Sequence, residues 1–114
     1  MSSKKKAVRK AFRDGVFKRD RHKCQVCGKQ WSKEDSEPAL RRLNAHHITD
    51  RSLMPNGGYT PANGITVCED PCHLRVEQFH ITGEAEEGLA PADLYVLVGS
   101  SHDRAVRAST RLSS

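Results

Sequence analysis

The sequence predicts a small α+β domain: a basic helix at the N-terminus, then two short strands and a helix, with a structural zinc fastening the parts together. Three observations carry that prediction. Apolar residues recur at helical spacing near the N-terminus, two short β-prone runs are separated by turn residues, and four cysteines fall in two close pairs. At 114 residues the chain is one domain at most, and with 36% hydrophobic and 5% aromatic residues its core must be thin. Domains of this kind need a metal, disulfides or a partner to stay folded.

The first helix is expected over Ala7 to Asp20. Val8, Phe12 and Val16, with Ala11 and Phe17, recur at three- and four-residue spacing, and Lys and Arg occupy the other faces. Gly15 weakens it slightly. The helix runs into a loop carrying Cys24 and Cys27, where Gly28 supplies the backbone freedom of a metal knuckle. Residues 29–42 read as a polar loop with one helical turn near Ser32 to Asp35, and Trp31 is expected to pack over the knuckle. Leu43 to Thr49 is the first strand, Pro55-Asn56-Gly57-Gly58 a turn, and Ile65 to Val67 the second strand. Pro71 suits the first position of a helix that carries Cys72, His73, Val76, Phe79 and His80 and ends at Gly83. Residues 1–82 are thus expected to form the core. Residues 83–114 read as an acidic linker, an apolar segment at Pro91 to Val98 that is a short helix or a strand, and a disordered tail rich in Ser and Arg.

Two residues separate Cys24 from Cys27, and three separate Cys68 from Cys72. Four thiolates so spaced can close a tetrahedron around Zn²⁺, and a closed site of this kind holds structure rather than performing hydrolysis. The basic N-terminus has no apolar run behind it, and no segment is long enough to span a bilayer. The expectation is therefore a soluble, intracellular (cytoplasmic) protein with thiols reduced or metal-bound. The net charge is +5, and residues 1–23 hold ten Lys or Arg against Asp14 and Asp20 alone. Such a cluster suits a polyanion, because neutralised phosphates release counterions.

The zinc leaves a second constellation free: His46, His47, Asn63 and His73. Through these residues the chain resembles the HNH endonucleases and their ββα-metal fold. The resemblance spans Val16 to Phe79. It rests on Val16-Phe17-Lys18-Arg19-Asp20 before the first cysteine pair, on His46-His47-Ile48, on Asn63-Gly64-Ile65-Thr66-Val67-Cys68, and on Cys72-His73. Two departures stand out, the extra residue between Cys68 and Cys72 and the long insertion between Cys27 and His46.

The resemblance implies a metal-dependent DNA endonuclease that leaves 5′-phosphate and 3′-hydroxyl ends. It makes His47 the general base, since a neutral imidazole takes a proton from water near pH 7. It makes His46 and His73 ligands of a divalent ion, Mg²⁺ or another, and Asn63 the residue that holds the loop and orients the base. Glu77 lies one helical turn after His73 and can face the same ion, where the family more often has histidine. His22, His80 and His102 are expected as surface residues. Lys10, Arg13, Lys18, Arg19, Arg21 and Lys23 are expected to grip the phosphates of double-stranded DNA, which positions a duplex without reading it. Weak sequence preference follows, and a phage or restriction assembly is an expected setting. Two other readings use the same residues, a non-catalytic zinc module that binds nucleic acid and a zinc-stabilised protein adaptor.

Overall fold

The computed structural model describes residues 2–30 and 43–113. Trp31 and the helical turn expected near Ser32 to Asp35 lie outside the described residues. Helix α1 (Ser2–Arg19) buries Phe12, Val16 and Phe17, while Val8 and Ala11 of the expected stripe stay exposed. Strand β1 (Leu43–His47) pairs antiparallel with β2 (Gly64–Cys68), Leu43 opposite Cys68 and His47 opposite Gly64. Every residue of β2 is buried, because the hairpin has α1 against it and a core of Ile48, Ile65, Val67, Val76 and Leu94 around it. The chain between the strands makes three short helical turns, Arg51–Leu53, Pro55–Gly58 and Pro61–Asn63. Asn56, Gly57 and Gly58 all take positive φ there, the conformation for which Asn and Gly are suited.

Two contacts fix α1 on the hairpin. Asp20, buried, accepts the Thr66 N–H at 2.8 Å, and Arg19 makes a two-pronged pair with the same carboxylate. Gly64 is the second. A Cβ there would lie inside van der Waals contact of Val16 Cγ2 and 2.9 Å from the Phe12 ring. Gly64→Ala is therefore expected to destabilise the domain by about 1–3 kcal/mol through overpacking, read as a lower midpoint in urea at unchanged slope.

After β2 the chain makes a wide turn, Glu69–His73, before α2 (Leu74–Thr82). The helix thus starts three residues later than expected, and Pro71 sits in the turn. Asp70, immediately before the proline, is extended at φ −139°, ψ 120°. Gly83 ends α2 in the left-handed conformation, its N–H bonded to the Phe79 carbonyl.

The C-terminal segment differs more. Residues Pro91–Leu97 are helix α3, which resolves the helix-or-strand alternative; Pro91 sits at its start, and the Asp93 carboxylate accepts the Ala90 N–H at 3.1 Å. The tail expected to be disordered is helix α4 (His102–Thr110). Ser101 caps it by accepting the Arg104 N–H at 3.1 Å, and Ala105 and Ser109 are fully buried. Asn56 donates to the Ser109 carbonyl at 2.9 Å, and Ser100 donates to that of Ala62 at 2.7 Å. Small residues on one face let α4 sit close to the turns between the strands, and this tertiary docking outweighs a composition that resembles a solvated tail. Glu86 pairs with Arg75 and Leu89 is buried, so the acidic stretch is also tied down. No described helix is long and apolar enough to cross a membrane.

Candidate functional site

The four cysteines converge, each offering a sulfur within 4.8 Å of the others, and none is in a disulfide. Cys24 and Cys27 sit on a knuckle in which the Cys27 N–H points at Cys24 Sγ (3.4 Å) and Gly28 takes φ 83°. Cys68 ends β2 and Cys72 lies in the turn before α2, so the cluster joins the knuckle, the hairpin and the helix. Sulfurs 2.3 Å from a central ion at tetrahedral angles stand about 3.8 Å apart. Cys27 Sγ and Cys68 Sγ are 3.8 Å apart. The donor set fits a structural Zn²⁺.

Thiol chemistry agrees. Burial works to raise the Cys24 pKa, but backbone N–H groups of Cys27, Cys68 and Val26 outweigh it and leave this thiol at about 7. Burial and the neighbouring sulfurs push Cys72 well up. Four thiolates in one place need a cation among them.

A second group forms on the other side of β1. His46 from the strand and His73 and Glu77 from the turn and α2 bring ligand atoms within 4.8 Å of one another. His46 Nδ1 is 3.2 Å and His73 Nε2 is 3.6 Å from the same Glu77 oxygen, Oε2. Donor atoms about 2.1 Å from one ion stand roughly 3.0–3.4 Å apart at octahedral to tetrahedral angles; the His46–Glu77 distance falls in that range and the His73–Glu77 distance lies slightly beyond it. Burial, with the neighbouring His80, His73 and His47, lowers the His46 pKa to about 3. A neutral ring can ligate, and the approach of Glu77 is not an ion pair. His46 Nε2 is buried without a hydrogen-bond partner.

His47, the next residue along the strand, points the other way. Its ring stacks on Phe12 of α1 (centroids 4.5 Å, 21°) and meets Tyr59 edge-on at 4.7 Å. Burial first, then the Arg51 charge, lowers its pKa to about 4, so it too is neutral at pH 7. Its Nε2 is buried without a partner beside a cavity of about 590 Å³. The structure therefore joins His46, His73 and Glu77 in one group and places the His47 ring on the opposite face of the strand, against α1.

Asn63 is fully buried and fully used. Its Oδ1 accepts the Thr49 N–H (3.0 Å) and the Tyr95 hydroxyl (2.7 Å), and its Nδ2 donates to the carbonyls of Thr49 (3.0 Å) and Gly58 (3.3 Å). The side chain thereby acts as an extra strand pairing that pins the backbone just after the two histidines. Tyr95, on α3, also accepts from the Thr49 hydroxyl at 2.6 Å. Tyr95→Phe is expected to cost about 1–3 kcal/mol, because Asn63 Oδ1 loses a buried donor while the ring packing stays; a denaturant melt measures it.

The basic residues divide. Lys18, Arg21 and Lys23 are exposed, whereas Lys10 and Arg13 share Asp14, at 2.6 and 3.7 Å. Beyond Asp20, Arg19 donates to the carbonyls of Pro61 (2.5 Å) and Gly64 (2.7 Å), bonds that join α1 to the hairpin.

His80 was expected at the surface and instead belongs to the site. It stacks on His46 (5.0 Å, 18°), and its Nε2 lies 2.8 Å from the His47 carbonyl; a carbonyl only accepts, so this nitrogen carries the proton. His73, Glu77 and His80 follow i, i+4, i+7 spacing on one helical face, a signal present in the sequence. Tyr95 and Thr49 carried no such signal.

Residues 24–79 match the family model described as HNH endonuclease. No curated protein and no solved structure matches the chain.

Proposed function

Since the chain carries an HNH endonuclease domain over residues 24–79, we propose that it is a metal-dependent DNA endonuclease held in shape by one structural zinc. The observation that supports this best is the meeting of His46, His73 and Glu77 beside a strand whose next residue is the neutral His47. A divalent cation bound by the first three supplies charge to offset that of the phosphodiester in the transition state. Two imidazoles and a carboxylate suit Mn²⁺, Ni²⁺ or Zn²⁺ by donor type, and Mg²⁺ is the cellular ion by availability.

The chain's own residues do the rest. His47 takes a proton from a water molecule, the water oxygen forms a bond to phosphorus, and the bond from phosphorus to the 3′ oxygen breaks. The 3′ oxygen regains a proton from solvent, which leaves 5′-phosphate and 3′-hydroxyl ends. Asn63 keeps the backbone after His47 in place, and His80 holds the His47 carbonyl against α2. Exposed Lys18, Arg21 and Lys23 contribute phosphate contacts without base readout, hence weak sequence preference.

One observation favours a second reading, a zinc module that binds nucleic acid without cutting it: the His47 ring is turned towards α1 rather than towards the His46 group. Plasmid cleavage by purified protein separates the two. The nuclease converts supercoiled DNA with added Mg²⁺ or Mn²⁺ and not without them; a binding module leaves it intact under both conditions. Glu77→Ala is expected to raise the Mn²⁺ concentration for half-maximal cleavage by about 10–100-fold or more, since loss of a direct ligand costs no less than loss of an outer-shell partner. An unchanged metal requirement would strike Glu77 from the ligand set.

A further inference from the structure

The cavity beside His47 is walled by α1, β1 and the turn region, with Arg9, Phe12, Arg13, Asn44, His47 and Tyr59 among its lining residues. Asp14 also lines it and pairs with Arg13 and Lys10, whereas Arg9 in the wall, and Arg51, which reaches the wall residue Tyr59, have no ion pair among the described residues. Asp50, the acid next to Arg51, is occupied by the Ser52 N–H and hydroxyl.

Arg51 Nη1 donates to Tyr59 Oη at 2.9 Å, and Arg9, on α1, lines the same cavity as that tyrosine. Burial works against ionisation of this phenol, but the two arginines outweigh it and bring its pKa below the usual range. The Tyr59 ring stands edge-on to Phe12 (5.7 Å, 86°) and to His47 (4.7 Å, 90°), so the hydroxyl is held by rigid packing. Two guanidinium groups at one wall of the cavity, neither in an ion pair with a described carboxylate, can take an anion from outside. Two lining residues, Asn44 and His47, also have buried nitrogens without a protein partner, Nδ2 and Nε2, so a polar occupant is called for.

We propose that Arg9, in the wall of the His47 cavity, and Arg51, held on Tyr59 of the same wall, clamp one backbone phosphate of a nucleic-acid strand at the cavity mouth. Planar guanidinium groups suit this task, since each offers paired donors to phosphate oxygens. The proposal rests on the nuclease reading for its choice of phosphodiester, and it places the bound strand on the α1 face of β1. It also brings a phosphate to the face that carries the base. Neither arginine belongs to the basic set singled out from the sequence.

The test is binding of a fluorescein-labelled duplex oligonucleotide by anisotropy, without added divalent ion, over a series of salt concentrations. Wild type is compared with Arg9→Gln/Arg51→Gln and with Arg107→Gln/Arg111→Gln, which removes the same charge from the C-terminal segment. Zinc content and melting temperature confirm that each variant is folded. The clamp pair is expected to weaken binding by tenfold or more and to lower the slope of log K against log salt by about 2, with a change under threefold for the control pair. Equal effects of the two pairs, or no binding by wild type, overturn the clamp. Inorganic phosphate at constant ionic strength tests the other source of this chemistry. Saturable phosphate binding that leaves oligonucleotide affinity unaltered overturns a strand clamp. A plasmid assay run beside these keeps the readings apart: binding lost in the clamp variant while wild type fails to cut refutes the nuclease and leaves the clamp standing. Cutting by wild type with identical binding by both pairs does the reverse.

Discussion

His47→Ala is expected to lower metal-dependent plasmid cleavage by about 10²–10⁴-fold, the range a positioned general base supplies. Zinc content should stay at one per chain, since His47 lies away from the four sulfurs. The ring is half-buried against Phe12 and Tyr59, so its loss also costs packing. For this reason the comparison needs His47→Gln, which keeps most of the volume and a polar tip but cannot act as a base near pH 7. If the two variants fall together while their melting temperatures separate, the loss is chemical. Cleavage by His47→Gln at the wild-type rate would remove this imidazole as the base. In that event the orientation of the ring towards α1 becomes the decisive fact, and the non-catalytic reading gains.

Cys72→Ser is expected to abolish cooperative unfolding. Cys72 is fully buried at the junction of the wide turn and α2, and its sulfur is one of four that fit a zinc ion. Structural zinc binding is worth about 10–16 kcal/mol at pH 7, comparable with or above the whole stability of an ordinary small domain. A domain with so few large apolar residues has no reserve to replace it. Purified wild type should contain one zinc by elemental analysis, and the variant less than a tenth of that, with a broad melt by circular dichroism. Because α2 starts beside Cys72 and carries Glu77 and His80, the second group should dissolve with the first. A zinc-free wild type that melts as sharply as the loaded protein would refute the structural role.

Much of this was legible in the chain before any coordinates. Phe12, Val16 and Phe17 marked the buried stripe of α1, Gly83 the end of α2, and Asn56-Gly57-Gly58 the turn, because each depends on local backbone or periodicity. The paired cysteines marked the sulfur cluster, since their spacing limits where the sulfurs can go. What failed depended on distant contacts. The C-terminal residues looked like a solvated tail, yet Ala105 and Ser109 are small enough for α4 to nestle against the turns, and only the neighbours reveal that. Arg19 looked like one more surface cation, but three of its acceptors are Asp20 and the carbonyls of Pro61 and Gly64, more than forty residues away for the last two.

The sequence by itself determined the α+β class and the pairing of the four cysteines, and it named candidate ligands and cations, because these follow from residue type and short spacing. Only the tertiary structure decided that His46 joins His73 and Glu77 while His47 faces Phe12, that Tyr95 completes the bonding of Asn63, and that Arg51 reaches Tyr59 in the cavity that Arg9 also lines. Each of these is a contact between segments far apart in the chain, and packing, not local preference, selects which side chains meet.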